Sequence, residues 1–451
     1  MRKLYDFPYS DVLVLGLAKS GTAAAKLLIS SGVNVRINDI KASENDPVVQ
    51  ELRELGAEVI TGSHPITVLD DVKLLIKNPG IPYENPIVIE AQNRFIPIIT
   101  EVELAAKLAG DSIIGITGSN GKTTTTTLIT AMIEESEKPV KVAGNIGIVA
   151  TEVAENLEKD ETLVLELSSF QLQGIIEFKP HTAVLLNIFE AHLDYHKTFE
   201  NYKHAKCNIF RNQTSDDFLV YNADDLTIVN TIQEESVDAT LVPFSVNQQL
   251  DEGAWIDQRS IYFKNEKIID RNAIVLVGNH NLENILAAIS AAKLNGATNE
   301  GIRKVLTTFK GVKHRLQFVD DVQNRLFYND SKATNILATQ KALSSFQKPV
   351  ILLAGGLDRG NDFDDLAPYL GHVKAMVVFG ETKGKLKEMG QQVGIQEIVV
   401  AANVEQAVEK AFSISNEGDV VLLSPACASW DQYRTFEERG DMFIRAVHKL
   451  V

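Results

Sequence analysis

Short apolar runs alternate with segments of helical periodicity along most of the chain. The apolar runs at 11–15, 33–38 and 72–77 predict strands, and so do the runs at 112–116 and 183–188 further on. Glycine-rich or polar residues follow most of these runs directly, as they do after the strands of open α/β sheets. The pattern therefore predicts an α/β protein whose functional loops lie at the carboxyl ends of its strands.

One polar segment, Thr117-Gly-Ser-Asn-Gly-Lys-Thr123, lies between the run at 112–116 and a helical pattern at 123–135. A strand, a glycine-containing turn, Lys-Thr and a helix together indicate a phosphate-binding P-loop. The strict motif has glycine at position 116, where this chain has Ile116.

The residue types of this segment suit phosphate binding. Gly118 and Gly121 can adopt positive φ, which lets successive backbone N–H groups turn toward phosphate oxygens. Lys122 would reach the β- and γ-phosphates, and the Thr123 hydroxyl would ligate Mg²⁺. The helix N-terminus that follows adds a partial positive charge.

A second glycine turn, Gly16-Leu-Ala-Lys-Ser-Gly21, follows the first predicted strand, and Asp39 closes the second. This arrangement is typical of the opening of a Rossmann-like βαβ unit. Ala18 replaces the middle glycine of the dinucleotide motif. A nicotinamide dinucleotide is therefore an alternative with less support than a nucleotide diphosphate at the helix N-terminus. A further turn, Asn78-Pro-Gly-Ile81, follows the run at 72–77.

Two further strand ends carry side chains suited to metal-assisted phosphoryl chemistry. Glu166 follows the apolar run at 163–165, a position from which a carboxylate beside a P-loop often contacts Mg²⁺. His192 comes after the run at 183–188, and we expect it at the same kind of strand end. Residues 202–206 fit a helix and, by pattern alone, predict a solvated face.

The rest of the pattern adds β elements and a third α/β unit. Runs at 239–244, 261–263 and 274–277 predict extra strands, after which Asn281 and Asn284 precede a helix at 285–294. Beyond residue 311 the α/β alternation restarts. Polar loops again follow its predicted strands, at 330–335, 355–361 and 424–429.

A chain of 451 residues is too long for one ordinary core. We place boundaries near residues 100 and 311, which gives domains 1–100, 101–311 and 312–451. The first and third are predicted to be Rossmann-like α/β domains. The central one is predicted to be a P-loop mononucleotide-binding α/β domain with added β elements.

Composition and net charge limit the cellular locations and the classes of partner that we expect for the chain. The net charge of −16 disfavours non-specific nucleic-acid binding, and the apolar runs are too short to span a bilayer. Charged residues interrupt any apolar leader near the N-terminus, and Cys207 and Cys427 form no metal or redox spacing. We therefore expect a cytoplasmic protein with no nucleic-acid partner and no membrane insertion, and we expect it to be a monomer.

The residues alone leave several reactions open. A phosphate cradle, a nearby carboxylate and polar loops in two other units indicate a nucleotide, a second anionic ligand and a third reactant. A kinase, an ATPase switch and an ATP-driven ligase all fit, since each works mainly by positioning and electrostatics.

Short motifs spread over the whole chain carry a resemblance to a known family. They are Thr117–Thr123 with its Ile116, Gly144-Asn-Ile-Gly147, Glu166-Leu-Ser-Ser-Phe-Gln171, His192-Leu-Asp194, Asn281 with Asn284, His314-Arg315, Asp330-Ser-Lys-Ala-Thr-Asn335 and Ser424-Pro-Ala-Cys-Ala-Ser429. In these motifs the chain resembles the Mur ligase family of cytoplasmic peptidoglycan synthesis. The 330–335 segment looks like that of the D-glutamate-adding members. Another Mur-type ligase or a folylpolyglutamate-type ligase is the alternative.

The resemblance implies an ATP-dependent amide ligase. It would join D-glutamate to UDP-N-acetylmuramoyl-L-alanine through an acyl phosphate and a tetrahedral intermediate, with ATP and two Mg²⁺ ions. It also implies that Lys206 is carried as a carbamate, which replaces the solvated-face interpretation of that helix. Carbamylation needs a neutral amine, so the pKa of Lys206 would have to lie well below the reference lysine value of about 10.4.

The resemblance further assigns roles by position. The catalytic residues would be Lys122, Glu166, His192 and Lys206, and the metal ligands Thr123, Glu166, His192 and carbamylated Lys206. ATP would contact Gly118, Ser119, Asn120, Gly121, Lys122, Thr123, Thr124, Asn281, Asn284, Arg315 and Asp330. The UDP-linked substrate would contact Ser20, Asp39, Gly80, Asn145, Ser168 and Gln171. D-Glutamate would contact Lys332, Thr334, Arg359, Ser429 and Phe436, where Arg359 stands in place of the lysine of some members.

Overall fold

The computed structural model describes residues 1–276 and 278–450. They form two compact units, Met1–Ala273 with Leu282–Val305, and Ile274–Asn281 with Leu306–Val451. In the described ranges, two β-sheets belong to the first unit and one to the second.

The first sheet is built from the N-terminal part of the chain. Its elements are β1 (Asp11–Leu15), α1 (Lys19–Ser30), β2 (Asn34–Asp39), α2 (Pro47–Glu54), β3 (Glu58–Thr61), β4 (Leu74–Lys77), α3 (Pro86–Asn93), β5 (Ile98–Ile99) and α4 (Glu101–Ala109). The strand order is β3-β2-β1-β4-β5, and all pairs are parallel. The carboxyl ends of β1, β2 and β4 are therefore neighbours, which brings together the loops that follow them.

The second sheet contains the P-loop strand. Its elements are β6 (Ile113–Thr117), α5 (Lys122–Glu134), β7 (Val140–Gly144), α6 (Ala150–Ala154), β8 (Thr162–Glu166), α7 (Ser169–Leu172), β9 (Thr182–Leu185), α8 (Leu193–His196), α9 (Phe199–Cys207), β10 (Phe218–Asn222), α10 (Leu226–Glu234), β11 (Thr240–Ser245), β12 (Ala254–Ile256), β13 (Ser260–Phe263), β14 (Glu266–Asp270), α11 (Asn279–Leu294) and α12 (Asn299–Thr308). The strand order is β14-β13-β12-β11-β10-β9-β6-β8-β7, and β12, β13 and β14 form an antiparallel extension of the parallel part. β6 lies between β8 and β9, so the P-loop has a strand end on either side.

The third sheet lies in the second unit. Its elements are β15 (Gln317–Val322), β16 (Arg325–Asn329), α13 (Ile336–Leu343), β17 (Val350–Gly355), β18 (Val373–Phe379), α14 (Lys383–Gln392), β19 (Glu397–Val400), α15 (Val404–Ile414), β20 (Val420–Leu423) and α16 (Phe436–His448). The order is β15-β16-β20-β17-β18-β19, and β15 is the antiparallel member. The loops after β16, β17 and β20 leave from three adjacent strands.

Burial on both faces explains the continuous apolar runs. All six residues of β17 are buried, as expected for a central parallel strand covered by helices on each side. Each fully buried Val, Ile or Leu side chain contributes about 1.5–3 kcal/mol relative to exposure. The helices bury one stripe each; in α16 the buried residues are Arg439, Gly440, Phe443, Ala446 and Val447.

The predicted α/β class is confirmed, and most predicted strands end within two residues of the observed ones. The strand predicted at 274–277 is wrong at 274–276, where the chain has no regular structure; Val277 lies outside the described residues. The strand predicted to run to residue 188 ends at Leu185. The helix predicted from residue 285 begins at Asn279.

None of the helices in the described part of the chain combines the length and the apolar character needed to cross a bilayer.

Candidate active site

The P-loop has the predicted order of strand, turn and helix, but of its two glycines only Gly121 has the positive φ that the sequence suggested for both. β6 ends at Thr117, and α5 begins at Lys122 directly after Gly121, which has φ +84° and ψ −16°. A Cβ at Gly121 would overlap the side-chain oxygen of Asn284, and one at Gly118 would lie 2.9 Å from Cβ of Leu186. Both positions therefore require glycine, Gly121 for its positive φ and both for lack of space.

Ile116 is an interior strand residue. Its side chain is fully buried, and its backbone pairs with Glu166 on one side and Val184 on the other. The site begins one residue beyond β6, at Gly118, so position 116 serves packing.

The Lys122 side chain bends over the loop that precedes it. Its ammonium group donates to the carbonyl oxygens of Gly118, at 2.7 Å, and Ser119, at 3.3 Å. Thr123 and Thr124 follow in the first turn of α5 and are half-buried. Asn120 donates its N–H to the side-chain oxygen of Asn187 at 2.9 Å. The loop thus presents a cation and a helix N-terminus at one strand end.

Glu166 ends β8 as a buried carboxylate. Its Oε1 accepts a hydrogen bond from the Asn145 side-chain amide at 2.9 Å, and its backbone carbonyl accepts one from the Asn145 N–H at 2.8 Å. Its Oε2 is buried and has no hydrogen-bond partner among the described residues. A buried carboxylate oxygen without a donor is poorly solvated, so it favours a cation.

Lys206 is buried beside the P-loop. On α9 it is 1% exposed, donates to the Gly118 carbonyl oxygen at 2.8 Å and lies 4.8 Å from the Tyr202 ring centroid. Burial, and secondarily the positive charge of Lys122, hold the pKa of Lys206 well below its ordinary value. The solvated face predicted from the pattern alone is wrong for this residue, because α9 turns Tyr202, Ala205 and Lys206 inward.

His192 lies close enough to both lysines to feel their charges. Burial first, and then Lys206 and Lys122, lower its pKa. The expected strand-end position is wrong: β9 ends at Leu185, and His192 precedes α8 with φ +56° after an intervening loop. The His192 ring packs edge-on against Phe170 at 5.0 Å. Three basic side chains therefore gather at the P-loop, and the positive charge of Lys122 among them attracts an anion.

The proposed metal ligands are of mixed type. In the ranges that the structure describes, no group of three His, Cys, Asp or Glu side chains surrounds one point. The orphaned Oε2 of Glu166 is an oxygen ligand of the kind Mg²⁺ prefers, and a carbamate on Lys206 would supply another. The donor chemistry therefore fits Mg²⁺ with few protein ligands, which is the usual mode when phosphates complete the shell.

Asn284 and Asn281 are both buried side chains of α11. Asn284 lies in the first unit, next to Gly121, and its Oδ1 accepts from the Thr125 hydroxyl at 3.4 Å. Asn281 lies in the second unit.

Ser20, Asp39 and Gly80 are organised by the ends of β1, β2 and β4. Asp39 accepts N–H bonds from Leu17 at 2.7 Å and from Lys41 and Ala42 at 2.7 and 2.9 Å. Asn78 donates to the Ser20 hydroxyl at 3.0 Å and accepts from the Gly80 N–H at 3.2 Å. The sequence analysis identified the turn at 78–81 but assigned no role to Asn78, the residue that joins Ser20 and Gly80.

Ser168 and Gln171 cap the short helix α7. The Ser168 hydroxyl accepts from the Gln171 N–H at 3.3 Å, and Gln171 Oε1 accepts from the Ser168 N–H at 2.9 Å. This is a capping box, and its Ser-x-x-Gln spacing was readable in the sequence. Asn145, the third residue of this set, contacts Glu166 as described above.

The second unit holds the remaining predicted residues. Asp330 accepts from the Ser424 hydroxyl at 2.9 Å and the Leu316 N–H at 3.1 Å, and burial raises its pKa to about 7. Arg315 is exposed, and its positive charge lowers the pKa of Asp330, in opposition to the effect of burial.

Two aromatic rings hold the cations predicted to meet D-glutamate. The Lys332 ammonium lies 4.8 Å from the Phe436 ring centroid, and the Arg359 guanidinium lies 4.9 Å from that of Trp430. The neighbouring Ser429 hydroxyl is buried and has no hydrogen-bond partner among the described residues. Thr334 donates its N–H to the Lys332 carbonyl oxygen at 2.8 Å.

Arg439 is a buried residue that sequence reasoning missed. It donates to Ser331 Oγ at 3.0 Å and to the carbonyl oxygens of Ser331, Cys427 and Gly355 at 2.8, 3.0 and 3.4 Å. It thereby ties together the three loops that carry Lys332, Arg359 and Ser429. The only signal in the sequence is its place on the apolar stripe of α16.

Comparison with known proteins covers the whole chain. Three family descriptions match: "Mur ligase MurD-like, N-terminal domain" at 10–100, "Mur ligase middle domain" at 116–292 and "Mur ligase, glutamate ligase domain" at 314–427. The chain is 63% identical to the UDP-N-acetylmuramoylalanine–D-glutamate ligase of Oceanobacillus iheyensis over 100% of both chains. It is 57% identical to the protein of the same name from Bacillus subtilis over 97% of each.

A solved structure shares the fold. The MurF ligase from Thermotoga maritima in complex with ADP is similar over 99% of this chain and 97% of its own, with a TM-score of 0.57 and 17% sequence identity.

Proposed function

Because the chain belongs to the Mur ligase family, we propose that it joins D-glutamate to UDP-N-acetylmuramoyl-L-alanine at the expense of ATP. The names of the relatives that are 63% and 57% identical support this substrate pair. The observation that carries the proposal is the convergence of Lys122, Lys206 and His192 on the P-loop, in the same sheet as the orphaned Glu166 oxygen. Such a site suits transfer of a phosphoryl group.

ATP binds the P-loop through its phosphates. Gly118 to Gly121 surround the phosphates, and Lys122 donates hydrogen bonds to them. Thr123 and Thr124 lie in the first turn of α5, which follows the loop. In the first unit, Asn284 beside Gly121 serves the nucleotide. In the second unit, the residues assigned to the adenine and ribose are Asn281, Arg315 and Asp330.

The carboxylate of the UDP-linked substrate attacks the γ-phosphorus, and ADP leaves, which yields an acyl phosphate. The D-glutamate amine then attacks the acyl carbon and loses a proton. Collapse of the tetrahedral intermediate expels phosphate and leaves the amide. Lys122 stabilises negative charge on the transferring group, and this is the main catalytic contribution of the protein.

Two Mg²⁺ ions would be held by Thr123, Glu166, His192 and carbamylated Lys206. When bound, Mg²⁺ neutralises phosphate charge and polarises the transferring group. The carbamate forms when the neutral Lys206 amine attacks CO₂ and releases a proton, so that a neutral group becomes an anion. The lowered pKa of Lys206 supports this step because it makes the neutral amine available.

The UDP-linked substrate is held by the first sheet. Ser20, Asp39 and Gly80 bind the UDP part at the adjacent ends of β1, β2 and β4. The muramoyl part reaches Asn145, Ser168 and Gln171 at the second sheet. Because Ser168 and Gln171 cap each other, they present a preorganised surface.

D-Glutamate is held by the second unit. Its carboxylates pair with Lys332, Arg359 and the orphaned Ser429 hydroxyl, and Thr334 and Phe436 line the same place. The domain limits 1–100, 101–311 and 312–451, a monomeric state and a cytoplasmic location belong to this proposal. So does the absence of nucleic-acid and membrane partners.

The test is phosphate release by the purified chain with ATP and Mg²⁺. We expect release only when UDP-N-acetylmuramoyl-L-alanine and D-glutamate are both present, with L-glutamate, L-alanine and a diamino acid as matched alternatives. Equal turnover with L-alanine or the diamino acid would contradict the substrate assignment. Phosphate release at the same rate with and without any amino acid would instead indicate an ATPase switch.

A further inference from the structure

One lysine of the first sheet is buried without a carboxylate. Lys77 is the last residue of β4 and is 0% exposed. It forms no ion pair with an acidic side chain in residues 1–276 or 278–450. Burial lowers the pKa of Lys77 to about 7. Since an isolated buried amine is costly, its polar surroundings must compensate.

The compensation comes from one turn and one tyrosine. The Lys77 amine donates to the carbonyl oxygens of Ile81 at 2.7 Å, Pro79 at 3.2 Å and Asn78 at 3.3 Å, and to the Tyr195 hydroxyl at 3.0 Å. The Tyr195 hydroxyl lies 3.1 Å from the carbonyl oxygens of both Pro79 and Ile81 and can donate to either. The turn at 78–81 is therefore fixed from inside by two side chains.

An aromatic ring completes the environment of the amine. The Lys77 nitrogen lies 4.8 Å from the Tyr83 ring centroid and 5.7 Å from that of Tyr195. Ring faces stabilise a cation, so they favour the protonated amine together with the carbonyl oxygens.

The same turn organises the predicted uridine diphosphate site. Asn78 links the Ser20 hydroxyl and the Gly80 N–H through its side-chain amide. On the other side, Tyr195 belongs to α8, which starts directly after His192. Lys77 is thus the point at which the loop that carries Gly80 meets the helix next to the phosphate-site histidine.

We propose that Lys77 is a positioning residue for the UDP-linked substrate. It sets the shape of the 78–81 turn and anchors that turn to α8 through Tyr195. The inference rests on the proposed function, because it takes the turn to bind that substrate. Removal of the amine leaves the carbonyl oxygens of Pro79 and Ile81 to share one donor, the Tyr195 hydroxyl, and leaves that of Asn78 with only the Ile81 N–H, so the turn relaxes and Gly80 loses its position.

The experiment compares Lys77→Met, which keeps the length and removes the amine, with Tyr195→Phe, which removes one hydroxyl. Titration calorimetry would measure Kd for UDP-N-acetylmuramoyl-L-alanine and, separately, for a non-hydrolysable ATP analogue. For the UDP-linked substrate we expect Kd to rise about 10-fold or more in Lys77→Met and about 3- to 10-fold in Tyr195→Phe. For the ATP analogue we expect a change below about 2-fold, and KM should rise far more than kcat falls.

Tyr83→Phe is the matched control. It keeps the ring beside Lys77 and removes a hydroxyl that donates to the Gln173 carbonyl oxygen at 3.3 Å, so the substrate Kd should not change. If Lys77→Met fails to fold by circular dichroism, Tyr195→Phe decides alone.

Two negative results have different meanings. Failure of the wild-type chain to bind the UDP-linked substrate overturns the proposed function, and the inference with it. If the wild type binds but the folded variants match Tyr83→Phe, only the positioning role is overturned. An equal loss of affinity for both ligands also overturns it, since it would indicate a general effect on the fold.

Discussion

Lys206 shows how one residue can define the chemistry of the P-loop. A lysine at 1% exposure, without an acidic partner in the described ranges, cannot serve as an ordinary surface cation. Its hydrogen bond to Gly118 and the effect of the Lys122 charge on its pKa show that its amine lies beside the P-loop. The proposed carbamate would turn this buried neutral amine into an anion that Mg²⁺ could stabilise.

Lys206→Ala should therefore lose most activity, by roughly 100-fold or more, because it removes a group that helps to stabilise the transferring phosphoryl group. A short carboxylic acid in solution should restore part of kcat, since it can occupy the space of the carbamate. The assay is phosphate release at increasing acetate concentration.

Lys203→Ala provides the control for that experiment. Lys203 lies on the same helix and pairs at 2.7 Å with the exposed carboxylate of Glu200, so its removal should leave kcat unchanged and acetate without effect. Absence of rescue in Lys206→Ala at any acetate concentration would count against the carbamate.

At the scale of elements, the β6–α5 connection depends on a single backbone conformation. Gly121 has φ +84°, and its missing Cβ makes room for Asn284. Gly32 offers a matched comparison, because it has φ +82° and nothing within 4 Å of where its Cβ would lie. The pair separates the backbone effect from the steric one.

Gly121→Ala and Gly32→Ala should each lower the free energy of unfolding by about 1–2 kcal/mol, the usual cost of a left-handed conformation. Only Gly121→Ala should also weaken binding of an ATP analogue, since only there does the new methyl group displace a neighbouring side chain. Denaturant unfolding and calorimetric titration measure the two effects. Equal nucleotide affinity in both variants would show that Asn284 moves freely.

Local signals made this element predictable. The apolar run, the glycines and Lys-Thr lie next to one another in sequence, so the P-loop could be predicted from its own residues. His192 could not be placed in this way, because its position depends on a loop and a helix of only four residues after β9. The Ser-x-x-Gln spacing predicts that Ser168 and Gln171 cap each other, whereas the sequence analysis assigned both residues only to ligand contact.

At the scale of the molecule, the alternation of strands and helices predicted three α/β domains but not the strand orders of their sheets. In the second sheet, β6 lies between β8 and β9, neither of which follows it directly in the chain. This strand order makes Glu166 a neighbour of the P-loop, and a strand order cannot be predicted from a local sequence pattern. Lys77, Asn78 and Arg439 were missed for the same reason, since their partners come from distant segments.

A buried carboxylate in the first unit links pH to the stability of the fold. Glu101, in the first turn of α4, is 2% exposed and accepts a hydrogen bond from the Thr151 N–H of α6. Burial raises the pKa of Glu101 to about 7, above the value of 4.5 for a free side chain. Between these values the folded chain holds a proton that the unfolded chain has released.

The contribution of Glu101 to stability is therefore fully present below pH 4.5 and is lost as the pH rises through about 7. Glu101→Gln keeps the shape and removes the charge, so its melting temperature should exceed that of the wild type by more at pH 8 than at pH 5. Glu54→Gln, at an exposed position of α2, should show no such difference between the two pH values. If Glu101→Gln and the wild type respond equally to pH, the carboxyl group must be ionised in the folded chain at both pH values. The burial of Glu101 between α4 and α6 would then have to be offset by donors beyond the single N–H of Thr151.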